Sequence, residues 1–268
     1  MQYHVSFDVQ LSLEGPGLPL SRSVGIDEFI ILSPADAERF SAELGSTCAV
    51  IPNPIPDPNL PLAPASKIKQ ESKTVVALAR LSSEKQLDRM IRNFLAATEQ
   101  DDLRCWRLDI HGEGEERDHL EKVIAESSAS DRVRLAGWND QPQAALFEAS
   151  LLLSTSKTEA LPMSVLEAAQ CATPTLAFEC SRSLGDLVRG LGGELVAADD
   201  DAAFTERLRA LLSSPGLLMT LGTESQRRWS PFSTESVARQ WAELVRDARR
   251  DERVGHTRPA PPHTRGED

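Results

Sequence analysis

The stretch Leu151-Leu-Leu-Ser-Thr-Ser-Lys-Thr-Glu-Ala-Leu-Pro-Met-Ser-Val-Leu-Glu-Ala168 decides the fold class of this chain. Its first four residues form an apolar run that is typical of a buried strand, and a polar loop follows. A helix is predicted to begin near Pro162 or Met163, because proline fits the first position of a helix. The stretch is therefore one strand–loop–helix unit, the repeating element of α/β proteins.

Similar units lie on both sides of this stretch. One amphipathic helix presents Leu87, Met90 and Phe94 on a single face. Strands that alternate with helices predict a Rossmann-like α/β domain, with a parallel sheet and helices on both faces. Right-handed crossovers bring the carboxyl ends of the strands to one edge, where ligands of such sheets bind. The predicted strands are Thr74–Ala79, Arg107–His111, Val133–Ala136, Leu151–Ser154, Thr175–Ala177 and Glu194–Val196.

The remaining segments divide the chain into unequal parts. Residues 1–50 contain two short strands, near residues 27–32 and 48–51, with a helix from Ser33-Pro34 to about Leu44 between them. This is too little for a complete domain, so we expect an incomplete remnant there. Repeated prolines predict an extended linker over residues 51–72. The ligand-binding domain is expected over residues 73–230.

Two closing helices are predicted, from Asp200 to Ser213 and from Thr234 to Arg250. The second contains Trp241 and Leu244 and forms a crossover segment over residues 231–250. Residues 251–268 mix charge with proline and are expected to be disordered.

Composition excludes several classes of protein. The formal net charge of -12 argues against a broad electrostatic surface for nucleic acid. No window approaches the roughly 18 consecutive apolar residues of a membrane span, and the first residues do not resemble a signal peptide. We therefore expect a cytoplasmic protein. The 4 cysteines lack CxxC spacing, which argues against a zinc site or redox pair and predicts buried free thiols.

Two carboxylates flank the predicted start of the helix in the opening stretch. Glu159 lies in the loop, and Glu167 lies one to two turns inside the helix. The unpaired amides near Leu161 to Ser164 favour a phosphate, and carboxylates beside them suit sugar hydroxyls. The pattern therefore fits a sugar phosphate. The alternative is a solvated Glu159 and a surface Glu167, although a carboxylate in a largely buried helix is costly unless it is paired or faces a ligand.

A pair of cations follows the first strand of the domain. Arg80 and Lys85 lie on either side of the turn into the next helix, at the same sheet edge, and both are able to reach one anion. The alternative is a solvated basic turn in which Glu84 neutralises one of the charges.

A pair of glycines follows the next strand. Gly112 and Gly114 would let the backbone approach a ligand closely. A dinucleotide fingerprint requires a third glycine, but Arg117 stands there, which disfavours a dehydrogenase-like site. His111 is interpreted as a packed histidine at the end of its strand.

Taken together, these segments resemble the retaining glycosyltransferases of family 4, which have the GT-B fold. The resemblance covers about Phe29 to Val245 and rests on motifs that occur in the family's order. Ala160 stands where the family usually has glycine. The matching motifs are Arg80-x4-Lys85, the glycines at 112 and 114, the stretch from Arg132 to Gly137-Trp138, Glu159-x7-Glu167, and the upstream Val50-Ile-Pro-Asn53.

The resemblance implies a role for each of these residues. Arg80 and Lys85 would bind the diphosphate and stabilise its charge as it leaves, so that no metal or other cofactor is required. Glu159 would contact the donor sugar, and the amides near Leu161 to Met163 would hold phosphate. Glu167 would bind the ribose. The segment with Val133, Gly137 and Trp138 would lie near the base.

The resemblance also implies a reaction and its partners. A hexose would pass from a nucleotide sugar, with UDP as the expected nucleotide, to an acceptor glycan, wall polymer or protein. Peripheral membrane association and a partner subunit are both compatible with this assignment. The first domain of the family is recognisable only in part, so we expect most of it to be missing. The alternative is a noncatalytic or truncated module that binds nucleotide sugar and needs a partner chain.

Overall fold

The computed structural model describes residues 29–44, 47–57, 72–127 and 131–254, with side chains described up to residue 248. Two parallel sheets are present in this part of the chain. The strands are β1 (Phe29–Ile31), β2 (Cys48–Val50), β3 (Thr74–Leu78), β4 (Arg107–His111), β5 (Val133–Gly137), β6 (Leu151–Ser154), β7 (Thr175–Glu179) and β8 (Glu194–Ala197). The α-helices are α1 (Pro34–Leu44), α2 (Leu87–Ala97), α3 (Arg117–Glu126), α4 (Pro142–Glu148), α5 (Met163–Gln170), α6 (Arg182–Gly190), α7 (Asp201–Leu212), α8 (Pro215–Arg228) and α9 (Thr234–Val254).

The larger sheet has six strands in the order β5-β4-β3-β6-β7-β8, and every pair is parallel. The chain builds outward from β3 to β5 and then returns to the other side of β3 with β6. The strand order therefore reverses between β3 and β6, and ligands of open α/β sheets bind outside the carboxyl ends of the strands at such a point. The predicted α/β fold, a parallel sheet with helices on both faces, is confirmed.

Both faces of this sheet are apolar. Val75 and Ala77 of β3 pack with α2 and α7 on one face, whereas Val76 packs with α4, α5 and α6 on the other. Neighbouring residues of a strand point to opposite faces, and a strand buried on both faces reads as a continuous apolar run. The run Thr74–Leu78 has this character, so its sequence places it at the centre of the sheet.

Helix α8 is an element that the sequence analysis missed. Gly216 and Gly222 weaken its helical pattern, since glycine disfavours a helix interior. At Gly222 the reason for glycine is close packing, because a Cβ atom there would lie 2.1 Å from the carbonyl oxygen of Ala172. Gly222 thus weakens the helical pattern in the sequence and also lets α8 approach the turn after α5 closely.

The small unit of β1, α1 and β2 packs against the last helix. Val237 of α9 is buried with Ile30 and Ile51, and Trp241 and Leu244 pack partly against them. Further along, Ile55 is fully buried and its amide donates to the carbonyl of Phe232 at 2.8 Å. The first part of the predicted linker is thus packed against the chain that precedes α9.

Helix α9 ends at Val254, four residues inside the segment 251–268 that was predicted to be disordered. Residues 255–268 and most of the predicted remnant, residues 1–28, lie outside the described residues. None of the described helices is both long and apolar enough to cross a membrane.

The cysteines are free thiols, as predicted, but their burial differs. Cys171 is buried, Cys48 and Cys180 are half-buried, and Cys105 is exposed. The prediction of buried thiols is therefore wrong for Cys105. It lies in the turn before β4, where its thiol donates to the carbonyl of Asp102 at 3.7 Å.

Candidate functional site

A cleft of about 740 Å³ opens at the carboxyl edge of the larger sheet, beside β3, β4 and β6. It lies at the point where the strand order reverses, as expected for a ligand site in such a sheet. Every described residue that lines it belongs to the unit of the larger sheet. Eight of the predicted site residues line it: Arg80, Lys85, Gly112, Trp138, Glu159, Pro162, Met163 and Glu167.

An ion pair crosses this cleft. Lys85 Nζ lies 2.7 Å from Glu159 Oε1, and the side chains are only 21% and 15% exposed. Ser156 Oγ donates to the same carboxylate oxygen at 2.7 Å. The Ser181 hydroxyl donates to the backbone carbonyl of Glu159 at 2.6 Å and accepts from the first turn of α6. Glu159 is therefore held at both its side chain and its backbone.

The loop that contains Lys85 is fixed to the loop before α5. The hydroxyl of Thr155, which is buried, donates to the carbonyls of Lys85 and Gln86 at 2.9 and 3.1 Å. The amide of Lys157 donates to the carbonyl of Glu84 at 2.8 Å. Gln86 has φ of 48°, a left-handed conformation that is uncommon for a residue other than glycine. These contacts bring together two loops that lie about 70 residues apart in the chain.

Arg80 differs from Lys85 in its surroundings. Its side chain is exposed and has no hydrogen bond or ion pair with any residue in the described ranges. The alternative, in which Glu84 neutralises one of these charges, is not seen among the described residues, where Lys85 pairs with Glu159. The cleft thus presents one cation that is free to take an anion and one that is already paired.

Helix α5 begins at Met163, as predicted, and contributes two features to the cleft. Its N-cap residue is Pro162, whose side chain cannot accept the free amides of the first turn. Glu167 lines the cleft and has no side-chain partner among the residues that are described. Burial raises the pKa of the Glu167 carboxyl above its usual value. The free amides of the first turn of α5 are suited to bind an anion, and the Glu167 carboxylate is suited to accept hydrogen bonds from hydroxyl groups.

Ala160, which stands where the family usually has glycine, fits without strain. Positive φ angles among the described non-glycine residues occur only at Gln86 and Ala172. The backbone at Ala160 therefore makes no demand for glycine.

The glycine pair serves the backbone of the neighbouring loop. A Cβ atom at Gly112 would lie 1.9 Å from the carbonyl oxygen of Ala79, and one at Gly114 would lie 2.3 Å from that of Leu81. The amide of Leu81 donates to the carbonyl of Glu113 at 3.0 Å. The two glycines thus let the loops after β3 and β4 approach closely, and Gly112 also lines the cleft.

Four predicted site residues lie outside the lining of the cleft. Gly114 packs against the loop after β3, as described above. Val133 is buried in the core at the start of β5, and Gly137 ends that strand with φ of 81°. Leu161 lines a separate apolar pocket beside α1 and α6. By contrast, Trp138 is 78% exposed at the rim of the cleft. A binding role for these residues stays a prediction.

The sequence analysis missed His111 and Asn139, which also line the cleft. His111 is half-buried at the end of β4, and its Nδ1 lies 3.5 Å from Asn139 Nδ2. It was interpreted as a packed strand-end histidine, and no sequence pattern distinguishes that role from a place in the cleft. Within the described ranges, no group of three or more His, Cys, Asp and Glu residues is arranged to hold a metal ion.

Known proteins resemble this chain in sequence and in structure. An exopolysaccharide phosphotransferase of Streptomyces coelicolor is 30% identical over 246 residues, which is 89% of this chain and 25% of that protein. The poly(ribitol-phosphate) α-N-acetylglucosaminyltransferase of Staphylococcus aureus is 25% identical over 182 residues, 67% of this chain and 36% of that protein. This chain therefore spans only a quarter to about a third of the length of these two relatives.

A crystal structure of a TarM mutant from S. aureus, in complex with fondaparinux, α-GlcNAc-glycerol and UDP, has the same fold. The TM-score is 0.71 at 23% identity, over 82% of this chain and 43% of that one. The larger sheet with its flanking helices is thus that of GT-B glycosyltransferases. A family model described as Glycosyl transferases group 1 matches residues 62–232, more than half of the chain. The chain belongs to the glycosyl transferases group 1 family.

Proposed function

We propose that the cleft binds a nucleotide-sugar donor, with UDP as the nucleotide, for a retaining hexosyl transfer of the family 4 type. The observation that carries this proposal is the half-buried Glu167, whose side chain has no partner within the described ranges, beside the uncapped first turn of α5. An unpaired carboxylate is costly to bury, whereas ribose hydroxyls would satisfy it. The helix amides and Arg80 would take the diphosphate.

The proposed mechanism is electrostatic. Arg80 and Lys85 would stabilise the negative charge that develops on the diphosphate as it leaves. Glu159 would accept hydrogen bonds from hydroxyls of the donor sugar. The acceptor hydroxyl would attack the anomeric carbon from the face that the diphosphate leaves, as the bond between that carbon and the diphosphate oxygen breaks, and its proton would pass to the departing diphosphate. The configuration is then retained. Because side chains supply the positive charge, we expect a metal chelator to leave UDP binding unchanged.

The acceptor proposed is a glycan, a wall polymer or a protein. This choice is supported by the name of the S. aureus relative, whose acceptor is poly(ribitol phosphate) and whose product is an α-linked N-acetylglucosamine. The α product is also what retention gives with an α-linked donor.

The test is calorimetric titration of the chain with UDP, UDP-glucose and UDP-N-acetylglucosamine. Lys85→Ala and Arg80→Ala should each weaken UDP binding by about 10- to 100-fold, the effect of losing a charge-assisted hydrogen bond. Arg80 is exposed, so its variant should fold even if Lys85→Ala does not. Lys157→Ala is the matched control, since this exposed lysine lies in the same loop system but outside the cleft lining. No binding of UDP to the folded wild type would overturn the proposal.

A second candidate is a donor-binding module that needs a partner chain for transfer. It is favoured by the cleft itself, because the described lining residues all come from the unit of the larger sheet. A turnover assay with labelled UDP-sugar and the chain alone separates the two candidates. Transfer to an added acceptor, or hydrolysis of the donor at a rate that Lys85→Ala abolishes, supports the transferase. Tight binding of donor without turnover supports the module.

A further inference from the structure

The cleft extends beyond the groups that the proposed function uses. Lys85 lies in the turn after β3, Glu159 in the loop after β6 and Glu167 in α5, whereas His111 is the last residue of β4 and Asn139 follows β5. A nucleotide sugar has its parts in the order sugar, diphosphate, ribose and base. If the first three parts occupy the side near β3 and β6, the base extends toward the ends of β4 and β5.

The backbone at this end of the cleft is irregular in a way that aims His111. The pairing of β4 with β5 shifts register between Ile110 and His111, so that His111 lies opposite Gly137. Bulges of this kind redirect a side chain and often occur next to active sites. Gly112 follows with φ of 144° and donates its amide to the carbonyl of Gly137 at 2.8 Å. The imidazole is therefore placed at the cleft by the backbone on both sides of it.

Asn139 contacts the ring of His111 and favours one of its two neutral tautomers. The amide of Gln141 donates to Asn139 Oδ1 at 2.9 Å, which assigns the oxygen of the Asn139 side chain. Asn139 Nδ2 is then the atom that faces His111 Nδ1 at 3.5 Å. A side-chain NH₂ group is a donor, so this contact favours the tautomer in which Nδ1 accepts and Nε2 carries the proton.

The environment of His111 favours the neutral form of its ring. Burial lowers the pKa of His111 below its usual value. Asp109 opposes this shift and Arg134 adds to it, and these two residues pair with each other at 2.6 Å. The cleft therefore contains a neutral imidazole with one N–H donor, on Nε2, and with its other nitrogen already in contact with Asn139.

We propose that His111, positioned by Asn139, selects the base of the donor by donating from Nε2 to the carbonyl oxygen at position 4 of a uracil ring. A cytosine ring has an amino group at that position, which would meet the N–H with another donor. The inference rests on the proposed function, because it assigns the base subsite of the same cleft. It makes His111 a specificity-determining residue and Asn139 a positioning residue.

The experiment compares UDP and CDP by calorimetric titration of the whole chain. Wild type should bind UDP at least about tenfold more tightly than CDP. His111→Leu keeps the volume of the side chain but removes the donor. It should weaken the binding of UDP about tenfold and change the affinity for CDP by less than about twofold. His111→Gln, whose amide can place an N–H near the position of Nε2, should retain most of the preference for UDP. Thermal melting checks that each variant is folded.

The outcomes separate this inference from the proposed function. If wild type binds UDP and CDP equally, or if folded His111→Leu keeps the wild-type ratio, the inference is overturned and the donor site stands. If wild type binds neither nucleotide, both are overturned. Should His111→Leu not fold, Asn139→Ala serves instead: loss of the fixed proton position should narrow the ratio of the two affinities, and an unchanged ratio overturns the inference.

Discussion

Lys85 Nζ lies 2.7 Å from Glu159 Oε1, which joins the loop after β3 to the loop before α5 across the cleft. On the proposed function, the same ammonium group binds the diphosphate of the donor. The phosphate oxygens of the donor must then share Lys85 with Glu159 or replace Glu159 as its partner. Glu159 therefore competes with the phosphate for Lys85. This relationship predicts opposite effects of one substitution on two ligands.

Glu159→Gln should bind UDP at least as tightly as wild type, because the carboxylate that competes for Lys85 is removed. The same variant should bind UDP-sugar more weakly relative to UDP, by about tenfold or more, since one acceptor for the sugar hydroxyls becomes a weaker one. Calorimetric titration with UDP and UDP-N-acetylglucosamine measures both affinities. Glu115→Gln, an exposed carboxylate outside the cleft lining, is the matched control. An equal loss for both ligands would show that Glu159 acts only through the structure of the loop.

Glu167→Gln should stabilise the fold and weaken the binding of UDP. Burial raises the pKa of this carboxyl, so its ionised form is disfavoured in the folded state. A neutral side chain of similar size removes that penalty, and the midpoint of thermal unfolding at pH 7.5 should rise by about 1–3 °C. UDP should bind about tenfold more weakly, since the acceptor for the ribose hydroxyls is neutral. A variant that is less stable and binds UDP normally would contradict both the burial argument and the proposed role.

The pH dependence of stability follows from the same shift. The pKa of Glu167 is raised on folding, so its stabilising contribution is present at low pH and is lost as pH rises through the folded-state value. The stability gained by Glu167→Gln should therefore increase with pH through that range and then stay constant. Denaturant titrations of both proteins between pH 4 and pH 8 measure the difference. If the difference in free energy of unfolding between Glu167→Gln and wild type decreases as pH rises, the prediction is contradicted.

Glycine at 112 and 114 is required by the neighbouring loop, so alanine there should be strongly destabilising. The added Cβ atoms would lie 1.9 and 2.3 Å from carbonyl oxygens, and the backbone must move to relieve them. We expect the free energy of unfolding, measured by denaturant titration, to fall by about 2–4 kcal/mol in each variant. Gly216→Ala in α8 is the control. Outside its own helix backbone and chain neighbours, no described atom lies within 4 Å of the added methyl group, so this variant should gain about 0.5–1 kcal/mol in free energy of unfolding.

The sequence predicts the larger sheet well because its signals are local. Each strand is a short apolar run, and the helix that begins at Met163 follows a proline at its cap position. These features act within a few residues, so the pattern of strands and helices places Arg80, Lys85, Glu159 and Glu167 at one edge.

Other features depend on contacts between distant parts of the chain. Helix α8 was missed because Gly222 is explained only by its approach to Ala172. The Lys85–Glu159 pair depends on Thr155, which holds two loops together. The place of His111 depends on a register shift between β4 and β5. None of these contacts has a signal within a single segment, so sequence patterns could not reveal them.

Cys180 should be far less reactive than Cys105, and its reactivity should report on Glu159. Burial, and then the charge of Glu159, raise the pKa of the Cys180 thiol to about 11. At pH 8 the thiolate fraction of Cys180 is therefore lower, by a factor on the order of 100, than that of an unperturbed thiol with a pKa of about 8.5. Iodoacetamide labelling followed by peptide mass spectrometry should therefore modify Cys105 first and Cys180 much more slowly. Removing the nearby charge in Glu159→Gln should speed the labelling of Cys180 and leave that of Cys105 unchanged, which makes Cys105 an internal control. Equal labelling rates for the two cysteines in wild type would contradict the burial of Cys180. If Glu159→Gln leaves the labelling rate of Cys180 unchanged, the electrostatic link between Cys180 and the cleft is contradicted.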